Sequence, residues 1–237
     1  GLLMHSLKYQ LAVIKGERDM NSVESGHAVR TAPVYEVLAA DIKSLGVEAV
    51  FGLMSDDTAL FVSALDMVGI TFHGGRHENA AISMAEGYAY ASGSLGTAVV
   101  GRGPATANDL HAAVYAARTG SRVLIIYGDA AFGTSSTNAL GPDYKAFNAL
   151  GVLTAAGLQV LRATSAAGAR TTLADAAGLA MQGNAVALLL PTSIQLSKRE
   201  WDGADPAPCV VGAETRAESA GPEAVQSAVD CLGRSQR

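Results

Sequence analysis

The sequence predicts an α/β fold: a doubly wound parallel sheet with helices on both faces. Strand-like and helix-like patterns alternate from about residue 31 to residue 196. The strand-like runs are apolar throughout and do not alternate with polar residues, as expected of strands buried on both faces. Gly46, the Gly/Pro turn after Val100 and Pro191 punctuate the transitions.

Val34, Val37, Leu38, Ile42 and Leu45 fall at helical spacing, and Gly46 stops that helix. Ala49–Leu53 reads as a buried strand. Ser55, Asp56 and Asp57 are then expected to cap a helix carrying Leu60, Phe61, Leu65 and Val68. Gly69–His73 is a short strand, followed by a helix from about Glu78 to Ala91. Thr97–Val100 is the next strand, and the helix after it runs through Asn108 to Arg118. Arg122–Tyr127 is the clearest core strand. A loop rich in Gly, Thr and Ser leads to a short helix near Tyr144–Leu150 and a weak strand near Leu158–Leu161. A helix at Arg170–Met181 and a strand at Ala185–Leu190 close the pattern.

The flanks read differently. Residues 1–30 are expected to be a leader or tag. Their apolar run Leu11–Ile14 is too short for a signal peptide, and no small-residue cleavage site follows it. Residues 197–237 read as a Pro/Ala/Gly-rich linker and a last helix with Val225, Val229 and Leu232 on one face. That helix has nothing of its own to cover it, so further chain is expected after it.

Composition narrows the function. Only 5% of the 237 residues are aromatic and 16% charged, which suits tight packing of small side chains. A net charge of −5 with no basic run argues against nucleic acid as a partner. No apolar stretch is long enough to span a bilayer. Cys209 and Cys231 form no CxxC pair and have no His cluster beside them, so neither zinc nor a disulfide framework is indicated. A reducing, cytoplasmic setting is the plain reading.

Parallel sheets bind ligands at the carboxyl ends of their strands, so the loops after Phe51, His73, Val100 and Tyr127 are where chemistry is expected. Arg76–Ala81 opens a helix at such an end and continues as Met84-Ala85-Glu86-Gly87-Tyr88-Ala89. Glu78 sits in its first turn, where the helix dipole favours a carboxylate. A dipole-stabilised surface Glu and a functional acid both fit. Gly87 suggests close backbone packing or a site, because Gly costs a helix about 1 kcal/mol relative to Ala. Ala80, Ala81, Ser83 and Ala85 would likewise let the helix approach another surface. Elsewhere, Gly101-Arg102-Gly103 starts like a dinucleotide fingerprint, but Pro104 and Thr106 break it. His73, His77 and His111 lack metal-ligand spacing, and Arg102 and Arg118 read as solvated or helix-end charges.

The Glu78 run resembles the R-H-E-x-x-A-x-x-M-A-x-G-Y-A signature of thiamine-diphosphate enzymes related to acetolactate synthase, pyruvate oxidase and benzoylformate decarboxylase. Gly46–Gly52 resembles their first strand, Gly103-Pro104 with Asn108 their G-P-G-x-x-N turn, and Ala187–Pro191 their closing strand. Pro222–Arg237 is similar to the first helix of their middle domain. The resemblance implies that residues 31–196 are the pyrimidine-binding domain, with 197–237 a linker and a truncated middle domain. It makes Glu78 the acid that trades a proton with the aminopyrimidine, so that the thiazolium carbon can lose its own. Gly103, Pro104 and Asn108 become cofactor-binding residues, and Met54, Ser55 and His77 become substrate-pocket candidates.

Several positions depart from that pattern. Met54-Ser55 stands where many members have Pro-Gly, and Ala105 replaces the second Gly of the turn, which is acceptable at negative φ. The His-His pair of the decarboxylases is absent after Tyr127, and Pro142-Asp143-Tyr144 takes the place of the Phe-Gln-Glu of synthases. Gly128-Asp129-Ala130 lacks the second Gly and the later Asn of a diphosphate motif, so it reads as a strand-end turn. No metal site is expected in this chain. Mg²⁺ and the diphosphate are assigned to a partner subunit or domain within a homo- or hetero-oligomer, acting on a small-molecule 2-oxo acid. A non-catalytic or truncated module that needs such a partner is the alternative.

Overall fold

The computed structural model describes residues 29–131, 137–138, 141–142, 145–203 and 221–234. Among them six strands form one parallel sheet in the order β3-β2-β4-β5-β9-β8. These strands are β2 (Ala49–Gly52), β3 (Thr71–Gly74), β4 (Gly96–Val100), β5 (Val123–Asp129), β8 (Gln159–Arg162) and β9 (Ala185–Pro191). The helices are α1 (Val34–Ser44), α2 (Ala59–Met67), α3 (Glu78–Ser92), α4 (Pro104–Thr119), α5 (Ala149–Ala155), α6 (Ala169–Met181), α7 (Thr192–Leu196) and α8 (Pro222–Arg234). The expected α/β fold is therefore present.

The central strands show why continuous apolar runs mean burial on both faces. Successive side chains point to opposite sides of a strand. Leu124 and Ile126 of β5, with Val186, Leu188 and Leu190 of β9, pack with α1, α2 and α6. Val123, Ile125 and Tyr127, with Ala187 and Leu189, pack with α3, α4 and α5 on the other side. On the first side Arg170 and Asp41 form a buried two-pronged ion pair. Nε donates to Oδ2 at 2.8 Å and Nη2 to Oδ1 at 2.7 Å, tying α6 to α1.

Three local expectations need correction. Ser55, Asp56 and Asp57 do not cap α2; its N-cap is Thr58, which makes no side-chain cap bond. Asp57 is drawn away by long-range partners described below, and Leu60 stays exposed. The helix expected near Tyr144 begins instead at Ala149, where the Asn148 side chain accepts from the Gly151 N–H at 3.0 Å. Gly87 marks no close approach, since a Cβ there would meet open space. The tight contact is one element away, at Gly96, where a Cβ would lie 2.2 Å from the Ala85 carbonyl oxygen.

Two features lack a sequence signal. β1 (Arg30–Pro33) pairs antiparallel with β10 (Lys198–Trp201), bringing the start of the stretch read as linker back onto the residues before α1. Val34 N–H also donates to the Ser197 carbonyl at 2.9 Å. The short α7 follows β9 directly. A four-residue, largely exposed ribbon carries no hydrophobic period, so composition could not reveal it. Most of the leader and of the linker, together with Cys209, Phe132-Gly133 and Asp143-Tyr144, lies outside the described residues. β6 (Thr137–Asn138) and β7 (Gly141–Pro142) form a two-residue antiparallel pair.

Candidate active site

The strand order places a reversal between β2 and β4. The chain leaves β2 towards β3 on one side, then returns to β4 on the other. Adjacent loops that leave in opposite directions open a crevice at the carboxyl edge, the usual ligand position in such sheets. The loop after β2 brings Met54 and Ser55 to this edge, the loop after β3 brings His77 and Glu78, and the loop after β4 brings Gly103, Pro104 and Asn108.

Glu78 is the first residue of α3, and His77 is the cap before it. The exposed His77 ring accepts the Asn79 N–H through Nδ1 at 3.2 Å, so its visible work is to hold the helix start. Glu78 is half-buried, less sealed within this chain than a buried acid would be. Its Oε2 accepts from the Asn108 amide at 3.2 Å, joining the starts of α3 and α4. Its Oε1 takes no hydrogen bond among the described residues. Asn79 adds a second tie, accepting the Ala112 N–H at 2.9 Å. On the sheet side, Phe51 stacks on His73 with ring centroids 5.2 Å apart and meets Tyr88 of α3 at 5.6 Å.

Gly103 is the N-cap of α4 with φ +70, and a Cβ there would lie 2.4 Å from the Lys145 carbonyl oxygen. Both conformation and space therefore demand glycine. Pro104 follows in the first turn, where its missing N–H costs nothing. Ala105 sits at negative φ, as the turn requires of a non-glycine.

Beside this turn lies a charge cluster that sequence spacing does not announce. Asp57 is nearly buried; its Oδ2 accepts the Arg102 N–H at 2.8 Å and its Oδ1 pairs with Lys145 at 3.1 Å. Lys145 also contacts Asp56, and the Ser55 hydroxyl donates to Asp57. Hydrogen bonding from Lys145 holds the Asp56 carboxyl down at about 2. Burial works against the Lys145 charge, but bonds to Asp56 and Asp57 outweigh it and raise the ammonium. A Cβ on Gly128 would sit 1.9 Å from Asp57 Oδ2, so the position before the last residue of β5 must be glycine for the carboxylate to fit. Ser55 is thus a member of this cluster, while Met54 is 54% exposed. The strand-end Asp129 is held by Arg162 at 2.7 Å and accepts the Ala130 N–H at 2.8 Å, as befits a turn.

A second carboxylate follows Asn108 on α4. Asp109 is fully buried, and its Oδ1 accepts from the Tyr127 hydroxyl at 3.2 Å. Burial pushes its carboxyl up to about 8; the Tyr127 bond pulls the other way, and the Glu78 charge adds to the rise. Burial likewise pushes the Tyr127 phenol well above its ordinary value. The sequence did hold a signal for Asp109. It shares the i, i+3, i+4, i+7 stripe with Ala112, Ala113 and Ala116, the buried face of α4. Lys145 and Asp57 carry no such signal, because they meet only through tertiary contact.

Among the described residues, no group of three or more His, Cys, Asp or Glu could hold a metal ion, and no helix is long and apolar enough to cross a membrane. No curated protein matches the chain. Residues 33–150 match the family of the thiamine pyrophosphate enzyme N-terminal TPP binding domain. That stretch runs from the last residue of β1 into α5 and contains Glu78, Asn108 and the whole Asp57 cluster. Over these residues the chain is similar to the thiamine pyrophosphate enzyme N-terminal domain family.

Proposed function

We propose that this chain is the pyrimidine-binding part of an acetolactate synthase-like enzyme that makes or breaks a carbon–carbon bond next to a carbonyl, decarboxylating a 2-oxo acid. The observation that carries the reading is Glu78. It stands at the carboxyl edge of the sheet, with one oxygen held by Asn108 and the other without a hydrogen bond among the described residues. A carboxyl fixed through one oxygen can present the other to a ring nitrogen and exchange a proton with it. Thiamine diphosphate, when bound, supplies the electron sink for the bond next to the carbonyl.

The chain's own residues divide the remaining work. Asn108 orients the Glu78 carboxyl, and Gly103 and Pro104 set the start of α4 from which Asn108 reaches it. His77 and Asn79 fix the start of α3. Met54 is a substrate-facing residue, and Ser55 holds the charge cluster that shapes the loop beside it. Asp129, already engaged by Arg162, is a poor ligand for Mg²⁺. We assign Mg²⁺ and the diphosphate to a partner subunit or domain, in a homo- or hetero-oligomer working in the cytoplasm. The half-open setting of Glu78 supports this, because a second surface would complete its burial.

The test is Glu78→Gln in the assembled enzyme. The fold and most cofactor affinity should survive, while deuterium exchange at the thiazolium carbon slows by roughly a hundredfold to ten-thousandfold. Glu86→Gln is the control. It lies about 12 Å along the helix, at 1.5 Å per residue, and should change the rate far less. Exchange as fast as wild type in Glu78→Gln would remove Glu78 from the reaction.

A further inference from the structure

The reading above uses Glu78 and Asn108 but leaves Asp109 without a role. Asp109 follows Asn108 on α4, is 0% exposed, and meets Tyr127 through Oδ1. Its Oδ2 is buried with no hydrogen-bond partner among the described residues. The titratable groups facing it are Tyr127 from β5 and Glu78 from α3. β9 and α5 contribute Ala187, Leu189, Ala149 and Leu153 to this side of the core, none of them titratable.

A carboxyl in that position is a poor structural choice. An apolar residue would fill the stripe beside Ala112, Ala113 and Ala116 and leave no polar oxygen unpaired. Asn108, the residue before Asp109, holds Glu78, and at these joined helix starts a charge on Glu78 disfavours a charge on Asp109, so one of the two holds its proton more tightly. Burial decides which: Asp109 is fully enclosed, while Glu78 is half open to solvent. Groups pushed apart in this way are common where protons are handled.

We propose that Asp109 is a positioning residue that acts through Glu78. It stays neutral while Glu78 ionises, so the start of α4 offers Glu78 a neutral neighbour. Loss of the Asp109 proton adds a second negative charge to that of Glu78 and sets the alkaline limit of the site. The inference rests on the reading of Glu78 as the cofactor-activating acid, and the two can fail separately.

The first measurement needs no cofactor. The 237-residue chain, labelled with ¹³C at its Asp and Glu carboxyls, is titrated by NMR, with Asp109→Asn and Glu78→Gln providing the assignments. Asp109 should titrate above pH 7, and Glu78 should show a second inflection at the same pH that disappears in Asp109→Asn. Titration of Asp109 in the ordinary carboxylate range, or a Glu78 signal blind to it, overturns the proposal. The second measurement follows thiazolium-proton exchange against pH in the assembled enzyme. Wild type should lose about tenfold per pH unit beyond the limit, as one ionisation dictates. Asp109→Asn should lack that limb. Tyr127→Phe should move it to higher pH, because the phenol's bond favours the ionised acid. A residue that only packs would leave the limb in place in both variants, and that result overturns the proposal. If Asp109→Asn does not fold, the direction of the Tyr127→Phe shift decides alone. Should the NMR coupling appear while Glu78→Gln leaves exchange unchanged, the coupling stands and the cofactor reading falls.

Discussion

Replacing Asp109 by Asn keeps the size and shape of the side chain and removes its charge, which makes stability a sensitive probe of this buried acid. The folded carboxyl is raised from 3.8 to about 8, chiefly by burial. A group raised in this way stabilises the fold fully at pH values below its unfolded pKa. That contribution is lost progressively as pH climbs towards the folded value. Each unit corresponds to about 1.4 kcal/mol, so the four or so units separating the two states amount to roughly 6 kcal/mol. By pH 7 about three of those units, or roughly 4 kcal/mol, have been spent. Asparagine has no such dependence. Its amide meets the same lack of a partner as Oδ2, a roughly constant cost of about 1–3 kcal/mol. Asp109→Asn should therefore be equal to or less stable than wild type at pH 4.5, and more stable at pH 8 by a few kcal/mol. Urea unfolding at pH 4.5, 6, 7 and 8 measures the difference directly, provided the m-value stays constant between the two proteins. A difference that does not change with pH would mean that Asp109 is ionised in the folded protein, and the account of its burial would be wrong.

Further predictions follow from packing. Arg170→Met strands the Asp41 carboxylate in the core and should cost about 3–5 kcal/mol in denaturant unfolding. Replacing both partners with apolar residues of similar volume should recover most of it. Gly128→Ala drives a methyl into Asp57 Oδ2 and should cost about 1–3 kcal/mol, breaking the Asp57–Arg102 bond seen by amide exchange at Arg102. Gly87→Ala meets open space in α3 and should stabilise the protein by about 0.5–1 kcal/mol, read as a rise in Tm. In calorimetric titration the isolated chain should bind thiamine diphosphate weakly, with little Mg²⁺ dependence. Tight Mg²⁺-dependent binding would reveal a diphosphate site within it.

The sequence by itself determined the fold class and the helix that opens with Glu78. Both are written in short-range pattern: continuous apolar runs at β4, β5 and β9, and a helical stripe at Val34, Val37, Leu38 and Ile42, all four buried as expected. Such periods report burial because the geometry of strand and helix converts spacing into a face. Tertiary structure alone decided what happens between segments far apart in the chain. Asp57 looks like a helix cap until β4 and β5 bring Arg102 and Gly128 beside it and Lys145 reaches it from the segment before α5, and a long-range N–H with an ammonium outweighs a local cap. Gly87 looks like a contact until Gly96 is found to make it. Asp109 becomes an unusual acid only when Tyr127 and the α3–α4 packing remove its water, since ionisation depends on solvation and neighbours and not on residue type.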